Sequence, residues 1–183
     1  MINGDLILKN KYPDFDDESR TPNGLDLRLG NVYELSEEYL SYGLMENRKD
    51  IPEHIKVVPE KTGYRYQDKN GEWHDNIEGW FLYPGRPYIL EVDRPIEISK
   101  DCAQLYRARS TLLRSGVALY TATGDSGYNG HLAFLCVNHS TRPFFMEVGV
   151  RFAQLIDFEV KENSLVYDGD FQERQEEKLD KYL

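Results

Sequence analysis

Short apolar runs, many of them alternating with polar positions, dominate the chain from residue 88 onward. Tyr88-Ile-Leu-Glu-Val92, Ile96-Glu-Ile-Ser99, Val117-Ala-Leu-Tyr120, Leu132-Ala-Phe-Leu-Cys-Val137, Phe144-Phe-Met-Glu-Val148 and Phe152-Ala-Gln-Leu-Ile-Asp-Phe158 are rich in β-branched and aromatic residues. Gly, Pro, Asn or Asp separates them at close intervals, a cadence that predicts an all-β sandwich or barrel. Earlier punctuation agrees: Tyr12-Pro13-Asp14, Thr21-Pro22-Asn23-Gly24 and Tyr83-Pro84-Gly85-Arg86-Pro87 read as turns. Lys69-Asn70-Gly71-Glu72 reads as a hairpin of type I′, because Asn-Gly tolerates positive φ.

Two segments depart from this rhythm. Within 31–50, Leu35, Tyr39, Leu40 and Tyr42 or Leu44 recur every three to four residues, which predicts a short helix. Gln104 to Arg114 predicts a second helix or helical turn. The last stretch, Phe171 to Leu183, is charged and weakly helical, so the pattern predicts one β domain over residues 1–165 and a tail over 166–183 that is ordered by a partner.

Composition narrows the class. A chain of 183 residues fits a single core. Its 22 Lys and Arg against 32 Asp and Glu disfavour binding to a nucleic acid polymer, whose phosphates demand a positive field. No apolar run approaches the roughly 18 to 20 residues of a membrane span. The N-terminus lacks the basic start and long apolar stretch of a signal peptide, so a cytoplasmic location is expected and the sequon at Asn138 is not expected to be used. Cys102 and Cys136 are too few for a disulfide framework or a Cys-x-x-Cys metal site, and read as small apolar residues.

Four clusters carry candidate chemistry: Asn23-Gly-Leu-Asp26-Leu27, Arg109-Ser110-Thr111 with Arg114 and Gly116, Asp125-Ser-Gly-Tyr128-Asn-Gly130, and Gly149-Val-Arg151-Phe-Ala-Gln154-Leu-Ile156. Arginine offers a planar fork of donors to phosphate oxygens, and hydroxyls beside it add more. Residues 101–158 hold five arginines against four acids, a net of +1 in a chain of net charge -10. The acidic excess therefore lies outside the segment that holds three of the four clusters.

In order and spacing these clusters resemble the trimeric dUTPase and dCTP deaminase superfamily over roughly residues 20 to 175. The resemblance implies a distorted jelly-roll subunit with one or two short helices, and a homotrimer whose active sites lie between subunits. It implies that Asp26 helps hold the water shell of a nucleotide-bound Mg²⁺, and that Arg109, Ser110, Thr111, Arg114, Arg151 and Gln154 bind the triphosphate of a deoxypyrimidine nucleotide. Asp125 would contact the sugar and orient the attacking water, Tyr128 would pack on the deoxyribose, and Tyr167 and Gln175 of the tail would close over the substrate. Deaminases of the superfamily place a glutamate where this chain has Leu135, and a leucine moves no proton. The zinc route to deamination is also closed, because no His-x-Glu paired with Pro-Cys-x-x-Cys occurs.

Hydrolysis needs less from the protein, namely an oriented water, Mg²⁺ and positive charge. The leading expectation is therefore Mg²⁺-dependent conversion of dUTP to dUMP and pyrophosphate, with dCTP deamination and non-catalytic nucleotide sensing as alternatives. Three departures bear on it. Ala122-Thr123-Gly124 replaces Gly-Val-Ile in the base-reading hairpin, which leaves uracil, cytosine and a modified pyrimidine open. The glycine-rich fifth motif of dUTPases is absent, and Asp170 stands where a lysine is usual, with Arg174 or Lys178 as substitutes. Gly124-Asp-Ser-Gly127 also matches the surroundings of a trypsin-like nucleophile, but no Ala-Ala-His-Cys precedes it to supply the base.

Overall fold

A computed structural model describes residues 10–37, 43–45, 48–161, 165–169 and 172. In chain order the first strands are β1 (Arg20–Thr21), β2 (Gly24–Leu35), β3 (Gly43–Met45), β4 (Arg48–Asp50), β5 (His54–Lys56), β6 (Glu60–Lys61), β7 (Tyr66–Gln67) and β8 (Trp73–His74). There follow β9 (Glu78–Leu82), β10 (Pro87–Glu97), β11 (Cys102–Ala108), β12 (Val117–Tyr120), β13 (Thr123–Gly124), β14 (Asn129–Asn138), β15 (Phe144–Glu147) and β16 (Arg151–Glu159). A helical turn, α1 (Ser110–Arg114), separates β11 from β12.

The main antiparallel sheet runs β12-β14-β10-β2-β16-β11-β13, with β1 and β5 also paired to β2. β2 serves both halves: Leu25–Arg28 pair with β16, and Leu29–Glu34 pair with β10. At the changeover sits Gly30, where an added Cβ would lie 2.6 Å from the Asp93 Cα, so only glycine lets the two backbones approach this closely. Register shifts at Glu91/Val92 and Arg151/Ala153 bend the strands further. The sheet thereby curls on itself into the expected all-β distorted jelly roll. Its inner face buries Leu25, Leu27, Leu29, Leu90, Val92, Phe134, Phe152 and Leu155, all essentially solvent-free. Each such side chain contributes about 1.5–3 kcal/mol by leaving water.

Three local expectations are corrected. The helix expected within 31–50 does not form over the described residues, because β2 continues through Leu35 and Gly43–Met45 is a strand; 38–42 lie outside the described residues. The helix over Gln104 to Arg114 shrinks to Ser110–Arg114, the earlier part being β11 with Cys102, Gln104 and Tyr106 turned inward. The 69–72 turn does join two strands, β7 and β8, but positive φ occurs at Gly71 alone. The Gly71 N–H donates to the Asp68 carbonyl, and the Asp68 carboxylate accepts from the N–H groups of Asn70 and Glu72. That is a type I turn closed by a left-handed glycine, with an aspartate supplying the acceptor that type I′ would not need. Among the described residues no helix is long and apolar enough to cross a membrane.

Candidate functional site

The expected site residues fall into two groups. In the first, Asp26 of β2 faces Gln154 of β16 across the ladder, and Arg151 lies at the start of the same strand. Arg109 ends the β11 run, its N–H donating to the Phe152 carbonyl, and turns the chain into α1. Its guanidinium reaches Asp26, with Nη1 2.7 Å from Oδ2, while Arg151 Nη1 lies 3.9 Å from the same oxygen. Only 5% of the Asp26 side chain is exposed. Burial raises its carboxyl above the ordinary 3.8, outweighing the opposing pull of Arg109, Arg151 and Arg28.

The neighbours complete a polar shelf. Arg151 Nη1 donates to the Glu18 carbonyl at 2.6 Å, and Gln154 Nε2 to the Thr21 hydroxyl at 2.6 Å. Ser110, Thr111 and Arg114 are exposed on α1. Arg109 and Arg151 line a cavity of about 400 Å³ together with Tyr64, Tyr66, Phe144 and Phe145.

The second group is the turn from β13 into β14. Asp125 is exposed there, while Tyr128 is buried and donates its hydroxyl to the His131 carbonyl. The Ile98 carbonyl accepts the Gly127 N–H and the Asp125 carbonyl accepts the Tyr128 N–H, closing the turn. The tail returns to this turn. The Tyr167 N–H donates to the Ser126 carbonyl, the Tyr167 ring meets Tyr128 edge-on at 5.6 Å, and Gln172 Nε2 donates to the Gly127 carbonyl. Asp170, Arg174, Gln175 and Lys178 lie outside the described residues.

Within one chain these groups stay apart. Gly124 pairs with Gln104 near the start of β11, and Arg109 lies five positions further on, roughly 16 Å at 3.3 Å per residue. Tyr128 and Tyr167 are brought together with Asp125, and Asp26, Arg109, Arg151 and Gln154 with one another, but the two sets face opposite ends of β11. Leu135 pairs with Ile89 and Tyr120 as an ordinary half-buried strand residue.

A model of the dCTP deaminase-like family matches residues 3–160. The chain belongs to that family. A relative from Methanothermobacter thermautotrophicus, named "Probable deoxyuridine 5'-triphosphate nucleotidohydrolase", is 37% identical over 94% of this chain and 100% of its own length. The protein of the same name from Methanopyrus kandleri is 35% identical over 93% of this chain and 99% of its own. A "dCTP deaminase, dUMP-forming" from Beutenbergia cavernae is 25% identical over 79% of this chain and 68% of that one. Among solved structures, the 2'-deoxycytidine 5'-triphosphate deaminase of Agrobacterium tumefaciens superposes with a TM-score of 0.51 at 21% identity, covering 79% of this chain and 41% of that one, a likeness of fold.

Motif reading did not reach the polar groups beneath the Asp125 turn: Lys11, Tyr12, Gln104, Tyr106 and Asp157. A signal was present, because Gln104 and Asp157 occupy inward phases of otherwise apolar alternations.

Proposed function

We propose that this dCTP deaminase-like chain hydrolyses dUTP to dUMP and pyrophosphate. The observation that carries the reading is the convergence of Arg109 and Arg151 on the buried Asp26, beside the exposed hydroxyls of Ser110 and Thr111. It gives a cationic shelf held in place before substrate arrives, which is what a triphosphate and its developing charge require. The likeness along nearly the whole chain to relatives named as deoxyuridine 5'-triphosphate nucleotidohydrolases supports the same reading.

In this mechanism Arg109 and Arg151 grip phosphate oxygens in a charge-assisted fork, with Arg114, Ser110, Thr111 and Gln154 adding donors. Asp125, exposed at the turn, holds the attacking water by accepting a hydrogen bond from it. Tyr128, fixed by its own hydrogen bond and by Tyr167, forms an apolar wall for the deoxyribose, and Gln175 would add a further donor to the phosphates. One carboxylate combined with substrate phosphates and waters suits Mg²⁺, so Asp26 would hold that ion through water, and the ion would supply positive charge across the phosphates. The 16 Å or so between the two groups fits a site completed between copies, and in the homotrimer that the resemblance implies the Asp125 turn of one copy would meet the arginine shelf of the next.

Incubation with Mg²⁺ and each deoxynucleoside triphosphate tests this directly. Pyrophosphate release from dUTP is expected; ammonia from dCTP would establish deamination instead, and binding without turnover would establish a nucleotide sensor. Substituting Asp125→Asn should lower turnover at least about a hundredfold and leave the melting temperature unchanged, since the side chain is exposed. Full turnover in that variant would remove Asp125 from the mechanism.

A further inference from the structure

The inner face of β11 carries a connected set of polar side chains directly beneath the Asp125 turn. Gln104 is fully buried and uses both ends of its amide. Its Oε1 accepts from the Tyr106 hydroxyl at 2.7 Å, and its Nε2 donates to the Tyr12 hydroxyl at 2.7 Å and to Asp157 Oδ1 at 3.0 Å. Tyr12 donates in turn to the Asp157 carboxylate at 2.9 Å. Lys11 closes the set, its Nζ 3.0 Å from Asp157 Oδ2 and 2.9 Å from Cys102 Sγ. A buried carboxylate surrounded in this way is not the cheapest way to fill a core, since apolar residues of similar volume are often as stable or more so. What a connected polar set adds is direction: each donor is aimed at partners within the set.

That direction ends at the catalytic turn. Gly124 lies so close to β11 that an added Cβ would be 2.2 Å from the Tyr106 hydroxyl oxygen and 2.9 Å from the Gln104 Cβ. On the other side of Asp125, the Ser126 hydroxyl donates to the Cys102 carbonyl at 2.7 Å. The Thr121 hydroxyl donates to the Tyr106 carbonyl at 3.0 Å. Asp125 thus stands between two residues that rest on Cys102, Gln104 and Tyr106. Burial, followed by the charges of Tyr128, Asp157 and Asp125, drives the Tyr106 phenol well above its ordinary 10, so it stays a neutral donor to Gln104 throughout the working pH range.

We infer that Tyr106 and Gln104 are positioning residues for Asp125, holding the turn so that its carboxylate meets the attacking water at a fixed place. The inference rests on the proposed role of Asp125 in dUTP hydrolysis, but its structural half can be read without turnover. In Tyr106→Phe the hydroxyl is lost while the ring packing remains. Expected are a fall in kcat of about tenfold with KM unchanged, and faster amide hydrogen exchange at Gly127 and Tyr128. Tyr88→Phe is the reference: it removes another buried hydroxyl, one that accepts from the Tyr83 N–H far from the turn, and should lower stability without altering kcat or exchange at 127 and 128.

Wild-type kcat and wild-type exchange in Tyr106→Phe would overturn the inference, as would an equal acceleration of exchange in Tyr88→Phe. If the wild-type protein releases no pyrophosphate from dUTP, the proposed activity fails by itself, and the exchange comparison still decides whether Tyr106 holds the turn.

Discussion

The Arg109 guanidinium lies 2.7 Å from the carboxylate of Asp26, a residue buried on a different strand and far away in sequence. The pair fixes the arginine at the edge of the cavity, and it also makes the two residues energetically dependent. Arg109→Ala leaves Asp26 buried with Arg151 only at 3.9 Å, and should cost about 1–3 kcal/mol in urea unfolding. Adding Asp26→Asn to that variant should restore at least half of the loss, because the stranded charge is gone. Additive losses would show that the pair is not coupled.

The separation of Asp125 from Arg109 gives a prediction about mixtures. Asp125→Asn and Arg109→Ala proteins should each be nearly inactive with dUTP. Unfolded together at equal amounts and refolded, they should regain activity in about a quarter of sites, since the proposed cyclic trimer would then pair an intact Asp125 turn with an intact shelf on its neighbour. A mixture no more active than its components would mean that each chain completes its own site.

Gly127 combines two constraints. Its φ is +83°, and an added Cβ would sit 2.4 Å from Val166 Cγ1. Gly127→Ala should therefore destabilise by about 1–2 kcal/mol through backbone strain and push Val166 and Tyr167 off the turn. Limited proteolysis provides the measurement: cleavage in the tail beyond residue 161 should become faster than in the wild type, with the β domain remaining intact.

Acid sensitivity should have a local signature at Asp16. Its Oδ1 accepts from both the Ser19 hydroxyl and the Ser19 N–H at 2.7 Å, and Oδ2 accepts from Arg28 at 2.9 Å. The bond from the Ser19 hydroxyl is the largest reason that its carboxyl falls below the ordinary 3.8. The folded form therefore holds its proton less tightly than the unfolded form. Its contribution to stability is present above 3.8 and is lost as pH falls through the lower folded value. Asp16→Asn should be less stable than wild type at pH 6, and the gap in urea midpoints should narrow as pH falls below 3.8. A gap that stays constant would rule out titration of Asp16 as its source.

Much of the fold was legible because its strands obey a period of two. β10, β14 and β16 were readable in Tyr88–Val92, Leu132–Val137 and Phe152–Phe158. β2 was not, for a physical reason: it changes partner sheets near Gly30, so its inward phase shifts midway and no single alternation spans it. β11 was mistaken for helix because one of its inward residues is Gln104, a polar side chain that only the partners Tyr12, Tyr106 and Asp157 make tolerable there. Candidate site residues were legible as types, since Arg, Asp and Tyr state their chemistry, whereas the Arg109–Asp26 contact depends on distant strands becoming neighbours through β16.

β13 pairs with β11 at Gln104 and Leu105, and Gly124 packs against the Tyr106 hydroxyl. The end of the molecule that would read a base and the end that would grip phosphates are thus joined by a rigid strand but share no side chain. Ala122 and Thr123, both exposed, can change without loosening Arg109, whereas Gly124 is held to glycine by its approach to Tyr106. The scaffold is modular along the length of one strand: the exposed hairpin at one end can change while the arginine cluster at the other stays as it is.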